Sequence, residues 1–308
     1  MGNKRKIHFT GISHPILCDL AASLRSSGND ITGSDSTVLD PKQQAKLGSI
    51  PLQSSWNPGQ LTAGLDALVI SPTITRDNPE LHRALELKVP VYSYPEFIHL
   101  ECRNKHRVVV TGSHGKTMIT SLILHVLNYH NRSFDYVISR ASGGLTTSVK
   151  LTNAPVIIIE GQDGLASALD PTTIFLKYQH HIGIICGIEW IASPSYPTKE
   201  EYTRQFSQFE LSTPKGGVLI YFDLEPVVTA LSKVNQPDVL YIPYKTHPSV
   251  QEGGQEFLVE SSNERHRIKL SGKVNMQNIA AAKETLKKLG ITTPMFYAAL
   301  QDFGGDAL

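Results

Sequence analysis

Short β-branched apolar runs alternate with segments of helical period along this 308-residue chain, and that alternation carries most of its fold information. Lys6-Ile-His-Phe-Thr10 reads as a strand, 16–24 as a helix, and Asp30-Ile-Thr-Gly-Ser-Asp35 as a second strand ending in an acidic residue. Leu65-Asp-Ala-Leu-Val-Ile-Ser71 has the continuous apolar run of a buried strand. Residues 79–87 predict a helix opened by Pro79, and Val89-Pro-Val-Tyr92 a further strand. Strand–helix alternation over residues 6 to about 98 predicts a parallel, Rossmann-like sheet. The charged, aperiodic stretch Glu101-Cys-Arg-Asn-Lys-His-Arg107 then marks a boundary, dividing the chain into residues 1–100 and 101–308.

The second unit opens on the strand Arg107-Val-Val-Val-Thr111. A turn with Gly112 and Gly115 follows, then Lys116-Thr117 and the helical pattern Thr120-Ser-Leu-Ile-Leu-His-Val-Leu127. Strand, tight turn and helix N-terminus in that order build a phosphate cradle. Backbone N–H groups of Gly112, Ser113, His114 and Gly115 and the positive helix end face the anion. Lys116 reaches the outer phosphates, and the Thr117 hydroxyl ligates Mg²⁺, caps the helix, or does both. The spacing is Gly-x-x-Gly-Lys-Thr: five residues before Gly115 stands Val110, where the common P-loop pattern has a glycine. Further strands are predicted at Pro155-Val-Ile-Ile-Ile-Glu160, His181-Ile-Gly-Ile-Ile-Cys186 and Gly217-Val-Leu-Ile-Tyr221, with helices over 199–211 and 275–289. The fold class is α/β, a Rossmann-like parallel-sheet domain followed by a P-loop α/β domain.

Composition narrows the function. A hydrophobic content of 40% and a charged content of 19% are those of a globular chain large enough for two cores. A formal net charge of +1 makes no electrostatic case for nucleic acid or an anionic membrane. Three scattered cysteines, Cys18, Cys102 and Cys186, fit a reducing cytoplasm and no zinc site. No apolar stretch reaches the ~18 residues of a membrane span, and the start lacks the apolar segment of a signal peptide.

At this point the residues resemble the Mur ligase family, the ATP-dependent amide ligases of peptidoglycan assembly. The resemblance runs over essentially the whole chain. It is carried by Thr111-Gly-Ser-His-Gly-Lys-Thr117, Asp77-Asn-Pro-Glu80, Tyr94-Pro-Glu-Phe97 and Asn275-Met-Gln-Asn278 ahead of Ala280-Ala-Ala. The first motif is specific to Mur and folylpolyglutamate ligases. The resemblance implies three domains, of which this chain reaches the UDP-binding domain and the central ATPase but not the one receiving the amino acid. It is thus expected to be a truncated or natural fragment. It also implies ATP and Mg²⁺, and UDP-N-acetylmuramate with an amino acid or murein peptide as partners. A muramate carboxylate attacks the γ-phosphate of ATP, and an amine then displaces phosphate from the acyl phosphate.

Residue by residue, Lys116 and Glu160 match the family's catalytic pair, and Thr117 and Glu160 its metal ligands. Asn275 and Asn278 match residues around the nucleotide. Three positions depart from the pattern. Glu160-Gly-Gln-Asp163 replaces a more acidic run, Ile191-Ala192 stands where an Asp-His supplies a ligand to a second metal, and Val274 replaces the histidine before Asn275. In the first domain Gly11-Ile-Ser-His-Pro-Ile16 keeps one glycine of a diphosphate-binding turn, so Gly11 reads as substrate-binding or as a plain turn. Asp35 reads as a ribose or uracil partner or as a turn cap. His114 shapes the turn or touches phosphate, His180 and His181 are loop residues, His130 ends a helix, and Trp190 is core or pocket wall. Lys245 and His247 receive no role. The departures raise an alternative: a nucleotide-binding relative that has lost ligase activity and serves as a regulatory or binding protein. A folylpolyglutamate-synthetase-like ligase, or a P-loop kinase or GTPase, fits less well, because a Rossmann-like domain precedes the P-loop here.

Overall fold

The structure, a computed structural model, describes residues 4–141, 144–224, 226, 228 and 236–305. Its first unit is built from β1 (Lys6–Thr10), α1 (Pro15–Ser26), β2 (Asp30–Ser34), α2 (Pro41–Leu47), β3 (Leu52–Gln53), β4 (Ala67–Ile70), α3 (Pro79–Glu86), β5 (Val91–Ser93) and α4 (Tyr94–Cys102). The five strands are parallel in the order β3-β2-β1-β4-β5. Phe9, Leu68 and Val69 are wholly buried, because a parallel sheet with helices on both faces leaves neither side wet. α1 starts at a proline and buries Ile16, Leu17, Leu20, Ala21 and Leu24, one apolar stripe of a 3.6-residue period. Strand order reverses between β1 and β4, so the crevice at their carboxyl ends is where such sheets bind ligands.

The predicted elements fall within two residues of those observed, except that the helix after the P-loop begins at Lys116, four residues ahead of the pattern at 120–127. The polar stretch 36–64 lacks a period, and it conceals α2, which rests on a capping box from Asp40 to Gln43, and the two-residue β3. The expected boundary is tighter than its charge suggests. Glu101 and Cys102 finish α4, and β6 begins at His106, leaving only 103–105 as a turn. Arg107 is buried, and its guanidinium donates to the carbonyls of Gln179 (2.8 Å) and Arg103 (2.9 Å).

The second unit holds β6 (His106–Thr111), α5 (Lys116–Tyr129), β7 (Asp135–Val137), β8 (Val149–Lys150), β9 (Val156–Glu160), α6 (Ile174–Lys177), β10 (Ile182–Ile185), α7 (Lys199–Leu211), β11 (Val218–Phe222) and β12 (Leu240–Tyr244). Its seven strands run β12-β11-β10-β6-β9-β7-β8, parallel except for the antiparallel β8. A small antiparallel sheet follows, β13 (Ser249–Glu252), β14 (Gln255–Val259) and β15 (Arg265–Ile268), then helices α8 (Lys273–Lys288) and α9 (Thr293–Leu300). α5, α8 and α9 pack one face of the large sheet around Ile123, Ile279 and Phe296. One continuous core joins the other face to the first unit, from Ile7 and Leu17 to Ile159 and Phe209.

Two buried carboxylates pin these parts together. Asp19 on α1 accepts from Lys46 Nζ (2.5 Å) and from the Ser148 amide beside β8 (2.5 Å), tying the two units. Glu80 on α3 is fully buried. It accepts from Thr10 Oγ1 (2.8 Å), Ser34 Oγ (2.5 Å) and the Asn57 amide (2.8 Å), with His8 Nε2 at 3.5 Å. Burial pushes its pKa up, but the hydrogen bonds from His8, Ser34 and Asn57 outweigh it and hold the carboxyl below its usual value. The stability it contributes is therefore complete above the ordinary glutamate value of 4.5 and is lost as pH falls through the lower, folded value. Glu80→Gln is expected to cost about 2 kcal/mol near neutrality and to flatten the acid limb of stability. Urea unfolding of both proteins at neutral pH and near pH 4 checks this.

Candidate active site

The site forms where β6 meets α5, at the carboxyl edge of the large sheet. Gly112 and Gly115 both have positive φ, 133° and 82°. A Cβ on Gly112 would lie 2.7 Å from Cys186 Sγ and 2.8 Å from the Gly187 carbonyl; one on Gly115 would lie 2.4 Å from Asn278 Oδ1. Both conformation and space demand glycine. Among the described residues the amides of Lys116, Thr117 and Met118 have no backbone acceptor, the free first turn that anions bind.

Not every loop amide faces that space. Ser113 N–H donates to the Gly187 carbonyl (2.8 Å), so this part of the expected cradle is a structural tie. Ser113 Oγ donates to the Glu189 carbonyl (2.9 Å), and Tyr202 Oη lies 3.0 Å from it while donating to Asp163 (2.8 Å). His114 pairs its Nε2 with the Glu189 carboxylate, an exposed contact at the cavity rim.

Lys116, at the first position of α5, folds back so that Nζ donates to the Gly112 carbonyl (2.5 Å) and lies 3.9 Å from Asp163. Thr117 Oγ1 donates to Glu160 Oε1 (2.6 Å), and the other carboxylate oxygen accepts from the amide (2.9 Å) and hydroxyl (2.8 Å) of Ser139. Strand register explains the meeting, since Glu160 ends β9 opposite Val110 of β6, just before the loop. A hydroxyl and a carboxylate side by side are hard oxygen donors of the kind Mg²⁺ takes alongside phosphate oxygens, so the pair fits that ion. Asn275 and Asn278 line a cavity of about 410 Å³ with Lys116 and Thr117. Asn278 is buried against Gly115, and Asn275 Nδ2 donates to the Ser271 carbonyl (2.8 Å).

Ile191 and Ala192 line a neighbouring cavity of about 340 Å³ with His114, Asp163, Glu189 and Tyr202, and offer it no ligand atom. Trp190 walls a third of about 760 Å³, its Nε1 donating to the Tyr196 carbonyl (3.0 Å). Sequence reading missed Ser139, Glu189 and Tyr202. Glu189 alone carried a signal, an acidic residue just past a buried strand, as at Glu160.

In the first unit Gly11 (φ 82°) sits at the sheet's switch point, where a Cβ would meet Ser71 Cβ at 2.8 Å. Its amide is committed to the Ser34 carbonyl (2.9 Å). Asp35 is buried and accepts from the Ser13 and Thr37 amides (2.8 Å each), the geometry of a turn cap. His180 lies in the loop between α6 and β10, as expected, but it is buried there, stacks on Phe209 at 3.9 Å, and burial lowers its pKa to about 3. His181 stacks on His106, and burial and Arg107 lower it to about 4. His130 does end α5.

Fold and site together define an α/β unit with a P-loop-like turn behind a Rossmann-like one. Residues 6–106 match the family described as Mur ligase family, catalytic domain. The chain is 27% identical over 322 residues to a UDP-N-acetylmuramate–L-alanine ligase of Halorhodospira halophila, covering 99% of this chain and 63% of that protein. It is 27% identical over 314 residues to the ligase of that name from Desulfatibacillum aliphaticivorans, covering 98% and 67%. Solved structures that share the fold include two ligases. One is the UDP-N-acetylmuramate:L-alanyl-gamma-D-glutamyl-meso-diaminopimelate ligase of Neisseria meningitides (TM-score 0.86, 19% identity, 97% of this chain and 98% of that one). The other is the UDP-N-acetylmuramate-alanine ligase of Thermotoga maritima (TM-score 0.73, 22% identity, 97% and 68%). Residues 6–106 thus carry a Mur ligase family domain, and the chain as a whole is similar to ligases of that family. It spans roughly two thirds of the length of the ligases it matches in sequence.

Gly115→Ala is expected to cost about 1–2 kcal/mol from backbone strain alone, and more from the overlap with Asn278. Adding Asn278→Ala removes the overlap, so the double variant should recover about 0.5–1 kcal/mol relative to the sum of the singles. Denaturant unfolding of the four proteins measures the coupling.

Proposed function

We propose that this chain forms the sugar-nucleotide and ATP-binding part of an amide ligase of peptidoglycan synthesis or recycling. Its substrates are UDP-N-acetylmuramate, ATP, and L-alanine or a murein peptide. The observation that carries the reading is the oxygen pair Thr117–Glu160 at the foot of α5, with the Lys116 ammonium beside it. Free helix-start amides and Lys116 bind the β- and γ-phosphates, and Asn275 and Asn278 border the nucleotide's cavity. Gly112, Ser113, His114 and Gly115 hold the loop in the shape that leaves those amides free. Thr117 and Glu160 hold Mg²⁺, which when bound neutralises phosphate charge as the muramate carboxylate attacks the γ-phosphorus. Lys116 stabilises the charge that develops there, and catalysis is otherwise positioning.

The sugar nucleotide lies in the crevice at the carboxyl ends of β1 and β4. Gly11 lets the chain turn there, and Asp35 acts by holding the Ser13 and Thr37 amides in place. A cytoplasmic setting agrees with three free cysteines, two of them buried with pKa pushed up to about 12. No helix among the described residues is long and apolar enough to cross a membrane. The alternative of a relative without ligase activity, raised by Ile191 and Ala192, finds no support among the relatives reported above, which are named as ligases.

Calorimetry of this chain with ATP and MgCl₂ tests the reading. Wild type should bind, Lys116→Met should lose at least tenfold in affinity, and Glu160→Gln should abolish the dependence on Mg²⁺. Phosphate release with UDP-N-acetylmuramate and L-alanine, or with the murein tripeptide, by the complete ligase containing this chain tests the activity itself. An unmodified chain without affinity for ATP or ADP would overturn the proposal.

A further inference from the structure

A cavity of about 670 Å³ lies at the outer edge of the large sheet, between the end of β12 with the loop after it, the end of β14, and helices α8 and α9. It shares no lining residue with the three cavities around the P-loop. Its wall carries a directed hydrogen-bond chain. His247 Nδ1 donates to the Pro248 carbonyl (2.8 Å), so Nε2 accepts from Tyr297 Oη (2.9 Å). The Tyr297 oxygen in turn accepts from Lys283 Nζ (2.6 Å), whose charge sits 4.5 Å from the Tyr297 ring centre. Burial keeps His247 neutral, consistent with that direction of donation.

Lys283 is half-buried, and among the described residues it is in no ion pair, so two of its three N–H donors lack a protein acceptor. An ammonium held from behind by a tyrosine, with donors to spare at a cavity wall, is a receptor for a carboxylate. The remaining charges set the ligand's other end. Glu260 follows β14, 3.2 Å from His266 Nε2, and Glu284 is held by Lys287 (2.6 Å). Lys245 stands exposed at the rim, 3.8 Å from Asp223. Two cations and two carboxylates thus line the cavity, with Tyr244, Val259 and Pro248 between them. A polyphosphate entering here would meet Glu260 and Glu284, an arrangement that rejects multiply charged anions.

We infer that this cavity is a binding site for a small zwitterion of the amino-acid class, its carboxylate on Lys283 and its amine toward Glu260. The site is separate from the nucleotide site, so its occupancy does not rest on the ligase proposal.

Saturation-transfer NMR on the intact chain tests it with glycine, γ-aminobutyrate and glycylglycine as probes, and acetate and inorganic phosphate as separate arms. At least one zwitterion should bind, and bind tighter than acetate or phosphate. Lys283→Met should weaken it tenfold or more. Glu260→Gln should weaken the zwitterion while leaving acetate unchanged, and Lys116→Met, outside this cavity, should leave zwitterion affinity as it is. Thermal melts of each variant verify folding, with Lys283→Gln as the second substitution if the methionine variant melts early. The proposal is overturned if no zwitterion binds, if phosphate binds more tightly, or if either Lys283 variant or Glu260→Gln leaves zwitterion affinity intact.

Discussion

The structure of the site depends on a single steric constraint, the absence of room for a side chain at Gly112 and Gly115. Cys186 and Gly187 press against the first position and Asn278 against the second. Because both neighbours belong to other elements, the loop is clamped between the end of β10 and helix α8 rather than shaped by its own sequence alone. Ser113 reinforces the clamp by giving its amide to Gly187 and its hydroxyl to Glu189. The result is a backbone that spends one amide on rigidity and keeps the helix-start amides open. Rigidity matters because a pre-set cradle does not reorganise when charge arrives.

The same economy appears in the first unit, where charged side chains organise backbone and are buried in doing so. Glu80 ties α3 to β1, β2 and the loop before it, and Asp35 ties two turns. Removing a buried, multiply bonded carboxylate strands several donors at once, which is worth far more than an exposed ion pair such as His114–Glu189. The carboxyl ends of β1 and β2 are therefore braced by carboxylates beside them, while the turn after β1 keeps a single glycine.

How much of this was legible depended on whether the signal was local. β1, β4, β9 and α7 were readable because an apolar run or a capping box announces each within its own residues. Thr117, Lys116 and Glu160 were readable as well, since register places the end of β9 beside the end of β6. β3, β7 and β8 were not, because two or three residues carry no period, and with β7 went Ser139, which fixes Glu160. The small antiparallel sheet was also silent, and with it the environment of His247 and Lys283. His180 sits in a loop as expected, but its burial was not legible: neighbouring histidines look polar in a sequence, whereas stacking on Phe209 makes one of them core.

The charge balance of the P-loop shows what the changes at Ile191 and Ala192 do. With no ligand atom at either position, the carboxylates left around the loop are Glu160, Asp163 and Glu189. Of these Glu189 is engaged by His114 and Asp163 by Tyr202, so Glu160 is the one paired with a hydroxyl rather than with a cation or a phenol. The Lys116 ammonium rests on the Gly112 carbonyl, a neutral dipole, with Asp163 at the edge of ion-pair range. Exchanging that dipole for a phosphate oxygen replaces a charge–dipole bond with a stronger charge-assisted one in a partly dehydrated pocket. In the proposed function a phosphate oxygen would replace the Gly112 carbonyl as the partner of Lys116, near the Thr117–Glu160 oxygen pair, which among the described residues is engaged by no cation. With no side-chain ligand at Ile191 and Ala192, the proposed function leaves the neutralising of incoming charge to that lysine and that pair.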